Sequence, residues 1–298
     1  MRIVHTECPI CSGKNLIPFL VCKDYTVSGE QFEIAYCQPC HTGLTQNIPD
    51  QASIGSYYKA ESYISHSNTK AGLINRLYHY ARNWMLRSKY DLVSKATHVH
   101  QGSLLDIGSG TGYFLDMMKK KQWQVKGIEA DEDARKFAEQ QFGLTIFPPS
   151  ELTRLAEKQF DAITLWHVLE HLHELNGSWQ QFGRLLKDAG TLFIAVPNHE
   201  CYDAAHYKAQ WAAYDVPRHL WHFSPTSIAT LAQNHGFQIM EKKIMPFDPF
   251  YIALLSEKYA ANSIGLIRGA LHGGIALLRG LLNVDKSSSI IYVLKKKS

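Results

Sequence analysis

The chain has 298 residues, 45% hydrophobic and 19% charged, with 31 basic and 27 acidic residues giving a net charge of +4. That composition excludes general disorder and suits one large domain, or one with a small appendage. The basic runs are two short ones, Lys119–Lys121 and Lys295–Lys297, so no extended polyanion-binding face is expected and nucleic acid is not an expected partner.

The first residues, MRIVHTECPICSGK, contain no apolar core of signal-peptide length, and no run approaches the roughly 18 uncharged apolar residues of a spanning helix. A cytoplasmic protein without a transmembrane segment is therefore expected. Cys8, Cys11, Cys37 and Cys40 form two C-x-x-C pairs with 25 residues between them. Thiolates three positions apart on a tight turn reach one ion together, and two such knuckles complete the tetrahedral sulfur set of structural zinc. Turn formers Pro9, Gly13, Pro39 and Gly43 flank the knuckles, and "FEIAYC" between them reads as a strand. The expectation is a zinc ribbon over 1–46, in which a closed sulfur set leaves no open position for catalysis. A redox role is disfavoured, because neither pair precedes a helix in a βαβ context.

Residues 47–100 read as a linker or lid followed by helix. The stretch from 47 to 66 is polar and rich in tyrosine, with Tyr57, Tyr58 and Tyr63. Leu73, Leu77, Tyr80, Trp84, Leu86 and Leu92 then recur near helical spacing, predicting a helix over 69–95.

From 101 to 298 strands and helices alternate. Strands are predicted at "SLLDIG", "QVKGIEA", "LTIF", "FDAITLWHV", "GTLFIAVP", "FQIMEKKIM" and "SSIIYVLKK", and helices at "GYFLDMMKKKQ", "DEDARKFAEQQFG", "GSWQQFGRLLKDAG" and "SPTSIATLAQNHG". Such alternation implies an α/β architecture, a largely parallel sheet covered on both faces, with ligands at the carboxyl ends of its strands.

One such end is "LLDIGSGTG", where glycines 108, 110 and 112 make a bare turn between a strand and a helix start. Glycine admits positive φ and close backbone approach, so the turn can lie against a bulky ligand. Glu129 closes the next strand 17 residues after Gly112, where a carboxylate can accept from both hydroxyls of a ribose. A dinucleotide fingerprint G-x-G-x-x-G would place glycine where this chain has Tyr113. The mismatch speaks against an NAD-linked oxidoreductase and for a cofactor without a pyrophosphate.

Seven of the fifteen histidines fall between 167 and 222. His167, Glu170 and His171 spell H-x-x-E-H, but the run starts at a strand end rather than inside a helix, which excludes an inverted zinc-peptidase site. Tyr202, Tyr207, Trp211 and Tyr214 join Tyr57, Tyr58 and Tyr63 in segments that read as lids over an apolar or ring-bearing acceptor, or as packing. Beyond "FDPF", a helical insert over about 251–283 presents Ile264, Ile267, Leu271, Leu278 and Leu282 on one face and Arg268, His272 and Arg279 on another. Gly265, Gly269 and Gly273 recur every fourth residue and would let another helix come close. A hairpin packed on the domain, or a homodimer contact, is expected ahead of an interfacial membrane helix.

Taken in order, "LLDIGSGTGYFL", "GIEAD", "FDAITLWHVLEHL" and "GTLFIAVPN", with "DVPRHLWHFSP" at 215–225, resemble the class I S-adenosylmethionine-dependent methyltransferases, in particular the branch with an "HVLEHL"-type motif after its fourth strand. The resemblance covers about 102–298 and implies a Rossmann-like, seven-stranded, mostly parallel sheet. Some relatives, sugar C-methyltransferases among them, also carry an amino-terminal zinc-binding module. The resemblance implies Asp106, Gly108, Ser109, Gly110 and Gly112 around the amino-acid part of S-adenosylmethionine, Glu129 and Ala130 at its ribose, and Trp166 and His167 near the sulfonium. Where many relatives have an acidic residue near the adenine, this chain reads "FPPSEL", leaving the adenine to backbone and packing, or to Ser150 or Glu151.

The resemblance implies methylation of a small-molecule acceptor: a sugar, quinone, polyketide or lipid-linked compound. Rate in such a transfer comes from alignment and from removing a proton, and His171 and His219 are the candidate bases. Ubiquinone-type and small-RNA 2′-O-methyltransferases hold a divalent metal with a similar E-x-x-E-H constellation, which makes His167, Glu170 and His171, with His219, a candidate metal site here. Otherwise Glu170 and His171 orient their loop. The alternatives are an RNA or protein methyltransferase, disfavoured by the lack of a basic face, and a catalytically silent scaffold that binds the same cofactor, opposed by intact Asp106, glycines and Glu129.

Overall fold

The computed structural model describes residues 1–58 and 73–297, with residues 73–79 described by their backbone. The amino-terminal part contributes β1 (Arg2–Ile3), β2 (Leu16–Lys23), β3 (Gln31–Cys37), β4 (Thr42–Thr45) and β5 (Ile48–Pro49). The long helix α1 (Leu73–Thr97) leads into β6 (Ser103–Ile107), α2 (Tyr113–Lys120), β7 (Gln124–Ile128), α3 (Glu132–Phe142), β8 (Ile146–Phe147), β9 (Phe160–Trp166), α4 (Leu175–Leu185) and β10 (Leu186–Pro197). There follow α5 (Tyr202–Tyr207), β11 (Trp221–His222), α6 (Pro225–Asn234), β12 (Phe237–Ile244), α7 (Asp248–Tyr259), α8 (Gly265–Leu282) and β13 (Ser289–Lys296).

All seven strand segments expected between 101 and 298 enter one sheet, in the order β12-β13-β10-β9-β6-β7-β8. The pairs from β10 to β8 are parallel, and β13 runs antiparallel to both its neighbours. This is the Rossmann-like, seven-stranded class I methyltransferase fold. Sheet order reverses between β6 and β9, which opens a crevice at the carboxyl ends of those two strands. Leu104, Leu105, Ile163, Leu165, Leu192 and Ile194 are fully buried in the sheet, and the absence of polar alternation in these strands reflects cover on both faces.

Two local expectations give way, and one open reading is decided. The helix "GSWQQFGRLLKDAG" stops at Leu185, because Leu186 crosses at once into the sheet and pairs with Phe160. The tyrosine-rich linker begins in structure: Ile48 and Pro49 pair with Ile3 and Arg2, and Tyr57 is buried. Of the two readings of Tyr207, Trp211 and Tyr214, packing holds: they are core residues with Val216, Ile252 and Ala253. Tyr63 lies outside the described residues.

In the amino-terminal module, β2, β3 and β4 form an antiparallel sheet whose fourth strand is β11, from the carboxyl-terminal half. Trp221 pairs with Leu44, and His222 with Gly43. The approach is close: a Cβ on Gly43 would stand 2.9 Å from the His222 Cβ.

The helical insert is a hairpin of α7 and α8 between β12 and β13. Its seam is built from small residues, since a Cβ on Gly269 would lie 3.0 Å from Leu254 Cα and one on Gly273 would lie 2.9 Å from Phe250 Cα. The leucine face of α8 therefore turns outward.

Candidate functional site

The bare turn sits at the carboxyl end of β6, in the crevice. Gly108, Gly110 and Gly112 have φ of +70°, +52° and +80°, the left-handed region that costs a residue with a Cβ about 1–2 kcal/mol. Their reasons differ. A Cβ on Gly108 would fall 2.3 Å from Val168 Cγ2, and one on Gly112 would touch Ala138 and Leu144, whereas one on Gly110 would project into open space. Gly110 is the glycine whose bareness serves the crevice.

Glu129, just beyond β7, faces the same turn. One carboxylate oxygen accepts from Gly110 N at 2.8 Å and the other from Asp131 N at 3.0 Å. Each oxygen keeps a lone pair for a further donor. Ala130 is exposed beside it, and Arg135 donates to the Glu129 and Ala130 carbonyls. Ser109 N donates to the Ile128 carbonyl, which ties the turn to β7. Ser150 and Glu151 lie on the short turn Pro149–Arg154 beyond β8.

Asp106 is buried under the turn and accepts from Thr164 Oγ1 at 2.6 Å. Burial raises its pKa to about 7, against the opposing Thr164 hydrogen bond and the Lys89 charge. Burial lowers Lys89 to about 8, with Asp106 and Asp248 opposing. The Lys89 ammonium stands 4.3 Å from the centre of the Trp166 ring. Trp166 Nε1 is buried and lacks a hydrogen-bond partner among the described residues. Neither Lys89 nor Asp248 was singled out by the sequence pattern, because α1 and α7 reach the crevice only through the tertiary fold.

His167 follows β9 in a left-handed conformation, φ +57°. Its ring lies between two carboxylates, with Nε2 at 2.9 Å from Asp248 Oδ2 and Nδ1 at 3.4 Å from Glu170 Oε1. Burial would lower its pKa, but the two carboxylates outweigh burial and hold it at about 10.

The expected metal set is corrected here. Glu170, His171 and His219 bring ligand atoms within 4.8 Å of one another, and His167 is outside that cluster because Asp248 engages its ring. Glu170 is 1% exposed, and neither of its carboxylate oxygens has a hydrogen-bond partner among the described residues. His219 Nδ1 lies 2.8 Å from the Ala213 carbonyl, and His171 Nδ1 lies 3.0 Å from both the Arg218 carbonyl and the Tyr58 hydroxyl. A carbonyl only accepts, so both rings carry their proton on Nδ1 and the free lone pair on Nε2. Burial and the neighbouring His219 push His171 down to about 4.

The histidine loop is held by the amino-terminal module. Arg218 is fully buried; it donates to Asp215 at 2.9 Å, to Asp24 of the module at 3.0 Å and to the Tyr57 carbonyl at 2.9 Å. Thr45 Oγ1 donates to the His219 carbonyl at 2.7 Å, and Leu220 N to the Glu170 carbonyl at 2.8 Å. The four cysteines of the module cluster as their spacing implies, with Cys8 and Cys40 Sγ 3.4 Å apart and Cys11 and Cys37 Sγ 3.4 Å apart. All four ligand atoms lie within 4.8 Å of one another. A tetrahedral ion with Zn–S bonds of about 2.3 Å brings sulfurs to comparable separations, so the set fits zinc.

A family model described as "Methyltransferase domain" matches residues 77–242, more than half of the chain. A ubiquinone biosynthesis O-methyltransferase from Xanthomonas oryzae pv. oryzae (strain PXO99A) is 25% identical over 175 residues, covering 54% of this chain and 73% of that protein. A protein of the same name from Actinobacillus pleuropneumoniae serotype 7 is 28% identical over 197 residues, covering 60% and 81%. Among solved structures, phosphoethanolamine N-methyltransferase 2 of Haemonchus contortus, in complex with phosphomonomethylethanolamine and S-adenosylhomocysteine, superposes with a TM-score of 0.50 at 16% identity, covering 74% of this chain and 57% of that one. At that identity the likeness speaks to fold.

Proposed function

This chain belongs to the methyltransferase-domain family, and on that premise we propose that it uses S-adenosylmethionine to methylate a hydroxyl of a small, ring-bearing acceptor. One observation carries the reading: at the switch point, Gly110 leaves open space where a Cβ would stand, and the Glu129 carboxylate is pinned beside it by two backbone N–H groups. Asp106, Gly108, Ser109, Gly110 and Gly112 line the amino-acid part of the cofactor, Glu129 and Ala130 its ribose, and Trp166 and His167 its methionine end. Lys89 adds a cation for the cofactor carboxylate. The limits read from the sequence, 46 and 100, would separate a zinc-binding module, a connecting segment and the transferase domain, with the pairing of Ile48 and Pro49 to β1 extending the module past 46.

The cofactor supplies an electrophilic methyl group on a sulfonium; the protein's part is alignment and proton removal. His219 takes the proton at Nε2, since its Nδ1–H is committed to the Ala213 carbonyl. His171, at about 4, stays neutral near pH 7 but is a weak base, and it positions Tyr58 and the Arg218 backbone. The name of the relatives, ubiquinone biosynthesis O-methyltransferase, supports oxygen on a quinone-type ring as the first acceptor class to try. Four cysteines gathered as a metal set, with Cys22 and Cys201 isolated, support a reducing, cytoplasmic setting, and no described helix is long and apolar enough to cross a membrane.

A second reading rests on the buried Glu170 carboxylate, which faces His167 at 3.4 Å on one oxygen: with His171 and His219 it would hold a divalent ion that lowers the pKa of the acceptor hydroxyl. Activity that falls with EDTA and returns with added divalent metal supports it; activity indifferent to EDTA removes it. The primary test is calorimetric titration with S-adenosylmethionine, S-adenosylhomocysteine and NAD. Micromolar binding of the first two is expected, while binding of NAD alone, or of nothing, overturns the assignment.

A further inference from the structure

We propose that the α7–α8 hairpin docks this protein onto an anionic lipid surface, with α8 lying in the plane of the interface. The packed side of α8 consists of Gly269, Gly273, Ala276 and Gly280. Because the seam against α7 uses residues without bulk, Leu266, Ile267, Leu271, Leu278, Leu281 and Leu282 all point outward, between 60% and 88% exposed. At 100° per residue the uncharged arc runs from Leu266 round to Ile275, about half the circumference of the helix.

Charge decides the occupant. Between 258 and 284 there is no aspartate or glutamate. Exposed Arg279 borders one edge of the apolar arc beside Arg268, which is paired with Glu257 at 3.2 Å, and exposed Lys258 and Lys286 lie in the segments flanking the helix. An apolar half-cylinder bordered by the exposed cations Arg279, Lys258 and Lys286 complements anionic headgroups above an acyl layer. A second copy fits less well, because it would bring the same border cations face to face. The arc is also wider than the narrow seam of a helix pair. The sequence sets a hairpin packed on the domain, or a homodimer contact, ahead of an interfacial helix; the hairpin packs through its glycine seam, and its outward face is the part proposed here for lipid.

The other helix of the hairpin, α7, reaches the crevice. Phe247, at the start of α7, meets Trp84 of α1 edge-on with ring centres 5.4 Å apart, and the next residue, Asp248, holds His167. Exposed Tyr80, Trp84 and Tyr251 supply aromatic rings of the kind that settle at headgroup depth. A lipid-dissolved acceptor would thus leave the bilayer beside the site. That delivery role rests on the methyl-transfer reading; docking itself does not.

The test is flotation of the full chain with phosphatidylcholine vesicles, with and without phosphatidylglycerol. Co-flotation with the anionic vesicles that weakens with added salt is expected, and L271E/L278E should lower the partition coefficient by about tenfold per leucine while keeping the wild-type melting temperature. Absence of flotation with anionic vesicles overturns the proposal, as does undiminished flotation of L271E/L278E. A concentration-dependent dimer that the same pair of changes abolishes, without flotation, overturns it in favour of a second copy. Calorimetry with S-adenosylmethionine separates the two readings: a chain that floats without binding the cofactor refutes methyl transfer alone, and one that binds without floating refutes docking alone.

Discussion

Replacing Gly110 and Gly108 by alanine, one at a time, sets ligand-serving bareness against packing-serving bareness two residues apart. Both sites have positive φ, so each alanine loses about 1–2 kcal/mol of stability to backbone strain. At Gly108 the new methyl also meets Val168, with Cγ2 at 2.3 Å, Cγ1 at 3.1 Å and Cβ at 3.3 Å. No rotation of a β-branched side chain clears all three atoms, so overpacking adds about 1–3 kcal/mol. The expected totals are about 2–5 kcal/mol for G108A and about 1–2 kcal/mol for G110A, or losses of roughly 6–15 °C and 3–6 °C in Tm at about 3 °C per kcal/mol. Cofactor affinity should follow the opposite order of interest: G110A, though folded, places its methyl in the open space of the crevice and weakens S-adenosylmethionine binding about tenfold or more. Differential scanning calorimetry and titration calorimetry on the same samples give both numbers. Wild-type affinity in G110A, or wild-type stability in G108A, would refute the reasoning.

Arg218→Met leaves Asp24 and Asp215 without their buried cation and should cost about 3 kcal/mol in urea denaturation, with kcat/KM falling because the His219 loop loses its anchor. Stripping the zinc with a chelator should lower the melting temperature and turnover together, since β11 shares its sheet with the cysteine module; unaltered turnover in metal-free, folded protein counts against that coupling. Asp106, held at about 7 when folded and ordinary when unfolded, binds an extra proton in the folded state between about pH 4 and 7. Its contribution is therefore full below the unfolded pKa and is lost as pH rises through 7, so the stability of wild type relative to D106N should decline over that window; a flat difference contradicts the burial argument. His219→Ala should lower kcat by about 100-fold or more, the usual share of a general base, while S-adenosylmethionine still binds; turnover within twofold of wild type removes His219 from that role.

Short-range pattern carried much of this molecule. The seven strands of the sheet are each a local apolar run, and the sulfur cluster follows from two local knuckles, so both are written within a few residues of themselves. The small-residue seam of α8 was likewise visible as glycines at every fourth position. The departures all involve partners distant in sequence. Helix α4 ends at Leu185 because Leu186 finds Phe160 across the sheet, and three aromatic residues that the sequence left between lid and packing are drawn into a core with α7. His167 leaves the metal cluster because Asp248, from a helix beyond β12, takes its ring, while Arg218 reaches Asp24 in the cysteine module.

What the sequence determined alone is therefore the alternation that makes a parallel sheet, the bare turn, the carboxylate after the next strand and the four-sulfur set, each a matter of period or spacing along the chain. Only the tertiary structure decided which charges meet in the crevice, which histidines share a carboxylate, and which face of the helical hairpin is left to the outside. Those outcomes depend on burial and on approach between residues far apart in the chain, and neither leaves a periodic trace in the sequence.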